Sequence, residues 1–205
     1  EVEPGYGWDY GFLGDLKNST STVDFGMSIV NHFENFYSKS YKTKGVTLSL
    51  LDLSKVSAVE DAIDDLFKDV DSNLTIDYSN VSRTRNQAKS FGRVSANSLY
   101  DLVDLYDLIN KLPSNYSEKA TKVKDVLNTF IVYQKTDLAD TYGVSIYFPF
   151  ENKNNIASLL SLYRQFDFAS EYTDFITNFS FTLTGNRMNN WKLSGNVPAI
   201  SDDTI

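Results

Sequence analysis

The residues of this chain that could do chemistry are few: one histidine, no cysteine, and carboxylates that cluster in two places. His32, the sole histidine, would serve as a dyad base only beside a thiol, and the chain has none. It falls on or beside a helical face formed by Phe25, Ile29 and Phe36, so it reads as a structural, partly buried histidine. Lack of cysteine also excludes disulfides and thiolate metal sites, and a single histidine excludes a two-histidine metal centre. Asp101, Asp104 and Asp107 recur at every third position and would cover one sector of a helix. A calcium site is one reading of that sector, but calcium wants about six or more oxygens, usually from a glycine-containing loop closed by a bidentate glutamate. The favoured reading is a solvated face, or ion pairs with Arg83, Arg85 or Arg93. Glu60, Asp61, Asp64 and Asp65 read similarly as the wet face of their helix. Glycines at 5, 7, 11 and 14 lack the GxGxxG spacing, no strong strand precedes them and no Walker lysine follows, which argues against nucleotide binding.

Composition narrows the classes further. A chain of 205 residues fits one large domain or two small ones, and 41% hydrophobic content is ordinary for a globular protein. Nineteen basic against twenty-seven acidic side chains give a net charge of -8, and the basic groups are scattered. That balance would repel a phosphate backbone, so no nucleic-acid partner is expected. The apolar run from Val144 to Phe150 is far short of the ~20 residues of a membrane span, and no charged-then-apolar signal segment opens the chain. Glu1 in place of methionine reads as a boundary set by processing or cloning.

The elements that must position these residues can be read from spacing. Glu1 to Leu16, glycine-rich yet carrying Tyr6, Trp8, Tyr10 and Phe12, reads as an ordered loop. Phe25, Ile29, Phe33 and Phe36 predict a helix from about 23 to 40, capped by Ser21 or Thr22. Val46 to Leu51 reads as a strand, and Val56, Val59, Ile63, Leu66 and Val70 mark the amphipathic helix after it. Asp71 to Ser79 reads as polar connection. Helices are expected at about 80–91, 97–111 and 117–134, the second with Leu99, Leu102, Val103, Tyr106 and Ile109 inward and Pro113 at its exit. Val144 to Phe148 reads as a short strand, helices follow at about 153–164 and 170–178, and Phe179 to Thr184 alternates as a strand does.

Two core strands far apart in sequence would leave most backbone edges unpaired. More strands are therefore expected, and the simplest source is residues preceding this segment. Glu1-Val-Glu-Pro-Gly-Tyr-Gly-Trp-Asp-Tyr, then Thr47-Leu-Ser-Leu-Leu-Asp-Leu-Ser-Lys-Val, Leu102-Val-Asp-Leu-Tyr-Asp and Gly143-Val-Ser-Ile-Tyr-Phe-Pro resemble, in order and spacing, the clostripain family of bacterial cysteine endopeptidases, peptidase family C11. The Pro-Gly-x-Gly-Trp combination is the most specific of these motifs.

The resemblance implies an α/β fold: the C-terminal part of a caspase-like, mostly parallel sheet sandwiched by helices, with an added helical subdomain. Residues 1–150 would belong to the core, including a helical insertion at about 71–135, and 151–205 would supply C-terminal helices and a strand-like tail. It implies a bacterial, secreted or cell-surface cysteine endopeptidase cleaving after basic residues, chiefly arginine. The family's catalytic histidine and its Asp-Ala-Cys motif lie upstream of the Pro-Gly-x-Gly-Trp stretch and match nothing here, so this segment alone is expected to be inactive. The implied partners are the upstream segment or light chain of the same protein and a peptide or protein substrate with a basic P1 residue. No cofactor is expected; the resemblance leaves calcium open without identifying a site.

An arginine-binding cleft needs a carboxylate for bidentate pairing and flat apolar walls for the stem and guanidinium face. Glu3, Tyr6, Trp8 and Asp9 are the candidate substrate-binding residues, because the Pro-Gly-x-Gly-Trp loop lies near the pocket rim in the family. Some relatives carry an acid where this chain has Tyr6. The structural alternative has Trp8 in the core and Asp9 capping a turn. The functional alternative is a non-catalytic binding or scaffold domain of a bacterial surface or secreted protein, with the aromatic-rich loop as its contact.

Overall fold

The computed structural model describes residues 9–18, 21–37, 39, 45–95 and 98–185, and the side chains of 92–99 lie outside that description. A 3₁₀ segment, Tyr10–Asn18, leads to α1 (Thr22–Phe36). Ser21 caps α1, accepting the Asp24 N–H at 3.1 Å while its hydroxyl donates to the Asp24 carboxylate at 2.8 Å. The strand expected at 46–51 is β1 (Thr47–Leu51), and the stripe after it forms α2 (Val56–Ser72), burying Val59, Ile63, Leu66, Phe67 and Val70. Then come α3 (Leu74–Gln87), β2 (Ser90–Ser95), β3 (Ser98–Asp104), α4 (Leu105–Asn110), α5 (Ser117–Phe130) and β4 (Ile131–Thr136). The chain closes with β5 (Ser145–Tyr147), α6 (Ile156–Tyr163) and α7 (Ser170–Leu183).

The mixture of helix and sheet fits an α/β reading, but the expected single, mostly parallel sheet is not what these residues form. Among the described residues β1 pairs antiparallel with β4, and β3 sits antiparallel between β2 and β5. The two strands predicted to share a sheet therefore lie in different ones. The parallel expectation rested on apolar residues on both faces of each strand, and helices packed on both faces produce that pattern whatever the strand direction.

Four local expectations are corrected. The helix predicted over 97–111 is β3 followed by the short α4. Asp101 has φ of 52°, which an α-helix cannot hold, and β3 is tied on both edges. The helix predicted to 134 stops at Phe130, because Ile131, Val132 and Tyr133 pair as a strand with β1. The supposed polar connection at 71–79 starts α3, with Leu74 buried. The supposed strand at 179–184 is the end of α7, whose buried Tyr172, Phe175, Ile176 and Phe179 recur at helical spacing.

Two apolar cores result. The larger joins α2, α5 and α7 to β3 and β5, with Phe67, Phe148, Phe175 and Phe179 buried in mutual ring contact. The smaller seats α1 on the β1–β4 ribbon through Val30, Phe33, Tyr37, Val46 and Leu48. Gly26 permits this seating: a Cβ there would lie 2.6 Å from Leu50 Cδ1.

Candidate functional site

Three places bring functional groups together. The first is an apolar groove of about 730 Å³, lined from β1 by Leu51, from α2 by Val56 and Val59, from β5 by Ile146 and Tyr147, and from α6 by Tyr163. Tyr100, Leu162 and Phe166 stand exposed at its margin. The phenol hydroxyls of Tyr147 and Tyr163 are closed off from solvent behind the groove wall, with no hydrogen-bond partner among the described residues, and burial pushes both phenols above their usual range. Among the described residues β1 pairs only with β4, and β5 only with β3, leaving each strand with one open edge.

The second place is the acidic sector of β3 and α4, and it is not the solvated face that its spacing suggested. Asp101, Asp104 and Asp107 are all buried, and each is satisfied by backbone N–H groups. Asp101 accepts from Phe150, Glu151 and Asn152 at 3.0–3.1 Å and so folds the chain after β5 into a tight turn. Arg85, 1% exposed, donates its Nε–H to the Phe148 carbonyl at 2.9 Å and approaches Asp101 at 3.8 Å, with its guanidinium against the Phe148 and Phe150 rings. That contact bears out Arg85 among the expected ion-pair partners; Arg83 is exposed, and the Arg93 side chain lies outside the description. Burial pushes the arginine down from its ordinary value, opposed by the Asp101 charge. Asp104 caps α4, accepting Asp107 N–H at 2.9 Å, and accepts Tyr142 N–H at 2.7 Å. Burial outweighs those donors and pushes its carboxyl up to about 6. Asp107 accepts the Lys89 N–H at 2.8 Å and pairs with Lys111. These three carboxylates hold β2, β3 and β5 in place and leave no arrangement for calcium. The other acidic run is mixed: Asp61 and Asp65 are exposed, whereas Asp64 accepts the Tyr172 N–H at 3.0 Å in the first turn of α7.

The third place joins the 3₁₀ segment to α1. Asp9 accepts the Gly11 N–H at 2.9 Å and faces His32 Nδ1 at 3.3 Å, while His32 Nε2 faces Asp15 at 3.1 Å. Ser28 donates to the same Asp15 oxygen at 2.5 Å. This group holds a serine, a histidine and acids, but in the wrong order for acyl transfer. A triad places the imidazole between hydroxyl and carboxylate, whereas here Asp15 stands between Ser28 and His32, and both ring nitrogens face carboxylates. His32 is half-buried and bonded to its surroundings, the structural role its sequence position indicated. Among the described residues no group of three or more His, Cys, Asp or Glu is arranged to hold a metal ion, so neither acidic cluster fits calcium.

Of the candidate substrate-binding residues, Glu3, Tyr6 and Trp8 lie outside the described residues, and Asp9 is placed in the His32 cluster by its bond to Gly11. The groove was not foreseen from the sequence. Its signal was present in Leu159, Leu162, Tyr163 and Phe166, more apolar surface than one face of the short α6 can bury. No described helix is long and apolar enough to cross a membrane. Comparison with curated proteins and with solved structures returned no match. A family model described as the clostripain family matches residues 1–191, nearly the whole chain, in agreement with the motifs at 1–10, 47–56, 102–107 and 143–149. The chain therefore belongs to the clostripain family and is related to the C11 cysteine peptidases.

Proposed function

We propose that this chain is the C-terminal, heavy-chain-like part of a bacterial cysteine endopeptidase, secreted or at the cell surface, that cleaves after basic residues, chiefly arginine. The observation that supports the reading is a clostripain-family match across residues 1–191 in a chain with no cysteine, so that a thiol nucleophile and its histidine would have to come from outside these residues. The apolar groove is the seat of that upstream segment. An extended strand would pair with an open edge of β1 or β5 and cover the exposed Tyr100, Leu162 and Phe166. In the assembled protein the loop at residues 3–9 forms the rim of the arginine pocket, with Glu3 and Asp9 as carboxylates and Tyr6 and Trp8 as walls.

The test compares the chain alone with the protein carrying its upstream segment, on arginyl and lysyl peptide substrates. The chain alone should hydrolyse neither. The longer protein should prefer arginine and lose activity to thiol alkylation. In it, Glu3→Gln and Asp9→Asn should each lower kcat/KM for arginine by ~1–3 kcal/mol in transition-state binding, as loss of a charge-assisted hydrogen bond does. Turnover by the chain alone would overturn the assignment of the nucleophile. An upstream segment without histidine and cysteine would leave the non-catalytic binding domain as the reading.

A further inference from the structure

The contacts of His32 demand more protons than a neutral imidazole has. Each ring nitrogen faces a carboxylate oxygen, Nδ1 toward Asp9 at 3.3 Å and Nε2 toward Asp15 at 3.1 Å. A carboxylate only accepts, and a neutral ring carries one N–H and one lone pair. Both contacts are hydrogen bonds only when the ring is an imidazolium. We infer that His32 is a proton-dependent clamp: protonated, it fastens the segment 9–18 to α1 through two carboxylates, and on losing its proton it releases one of them.

The cluster is built for this. The two acids flank the 3₁₀ segment at its start and middle, so a bond to each fixes both the position and the rotation of the segment against the helix. The Gly11 N–H on Asp9 and the Ser28 hydroxyl on Asp15 hold both carboxylates ionised, below their ordinary value, with His32 adding to the effect in each. Gly11 lets the segment lie close: a Cβ there would stand 3.0 Å from His32 Nδ1. Other titratable groups near α1 are disposed elsewhere or add the same sign. Asp24, on α1 itself, shares the small pocket beside Asp15 and His32, and Lys17 closes the 3₁₀ segment. From β4, the Tyr133 hydroxyl donates to Asn31, and Lys135 lies 4.0 Å from Glu34. β1 brings no titratable side chain to the helix.

The clamp stands on this chain alone; only its bearing on substrate, through the neighbouring loop at residues 3–9, rests on the peptidase reading. The test therefore reads structure and not activity. Amide exchange of residues 10–18 in the full chain is followed at pH 5.5 and 8 and corrected for the intrinsic pH dependence of exchange. The wild type should exchange about three- to five-fold faster at pH 8, the size expected for one half-exposed charged contact. His32→Asn should remove the difference between the two pH values. Asp15→Asn should remove it while keeping the segment protected at pH 8, because the amide can donate to the lone pair of a neutral ring that still donates to Asp9. Equal corrected exchange at both pH values in the wild type, or a pH response that survives in His32→Asn, would overturn the clamp.

Discussion

Asp104 is fully buried between β3 and α4, and its carboxyl is pushed up to about 6 from an ordinary 3.8. Burial is the leading cause and the Asp107 charge adds to it, while the N–H groups of Asp107 and Tyr142 pull the other way. The sign of its effect on stability follows. In the unfolded chain the group ionises near 3.8, so at neutral pH the folded state alone bears the penalty of a buried charge. The rise of roughly two pH units corresponds to about 3 kcal/mol at 1.36 kcal/mol each. That contribution to stability is present below about pH 4 and is lost as pH rises through about 6. Asp104→Asn removes the titration and keeps a residue type that caps helices well. The amide cannot accept both the Asp107 and Tyr142 N–H groups, so the variant carries a constant offset that cancels when one pH is compared with another. The assay is urea unfolding of both proteins between pH 4 and 7. Stability of the variant minus that of the wild type should rise by about 2.4 kcal/mol from pH 4 to pH 7, the remainder having been lost already by pH 4. Carboxylates held low, such as Asp52 beside Ser54 and Asp77 beside Tyr116, act in the opposite direction but equally in both proteins. A difference that is flat to within about 0.5 kcal/mol, or that falls with rising pH, would refute the assignment of the shift to Asp104.

Gly143→Ala should destabilise by more than about 2 kcal/mol, since its φ is 101° and a Cβ there collides with Gln134 Oε1 and Ser49 Oγ; a lowered urea midpoint at unchanged slope checks it. Arg85→Met should cost about 3–5 kcal/mol, because Asp101 stays buried after its partner is gone, and the double variant with Asp101→Asn should lose less than the sum of the two singles.

Much of the fold was legible because burial imposes periodicity. Val59, Ile63, Leu66 and Val70 face one core from α2, and their spacing gave that helix almost to its ends. The misreadings share a cause. Residues 97–111 show apolar positions three and four apart, yet they serve a strand whose two faces are both covered, and then a helix turned to the same core. A period of 3.6 cannot be told from a strand with both sides buried when the apolar residues come in pairs such as Leu102-Val103. What decides is the partner strand, and pairing with β2 and β5 is not written within the segment itself. The aspartates misled for the same reason: regular spacing on a helix suggested solvent, whereas on β3 and α4 it places three acceptors against backbone N–H groups just before β2 and on either side of β5.

The candidate site divides along the same line. Composition excluded a cysteine nucleophile within these residues, since absence of a thiol needs no structure to be read. The argument for further strands concerned unpaired edges and uncovered apolar surface, so it does not depend on parallel pairing. Antiparallel β1 and β5 each keep an open edge among the described residues, beside the apolar groove they help to line. An apolar ligand would fill that volume yet leave the strand edges unpaired. An extended peptide would do both, and on that ground the proposed reading places polypeptide of the same protein there.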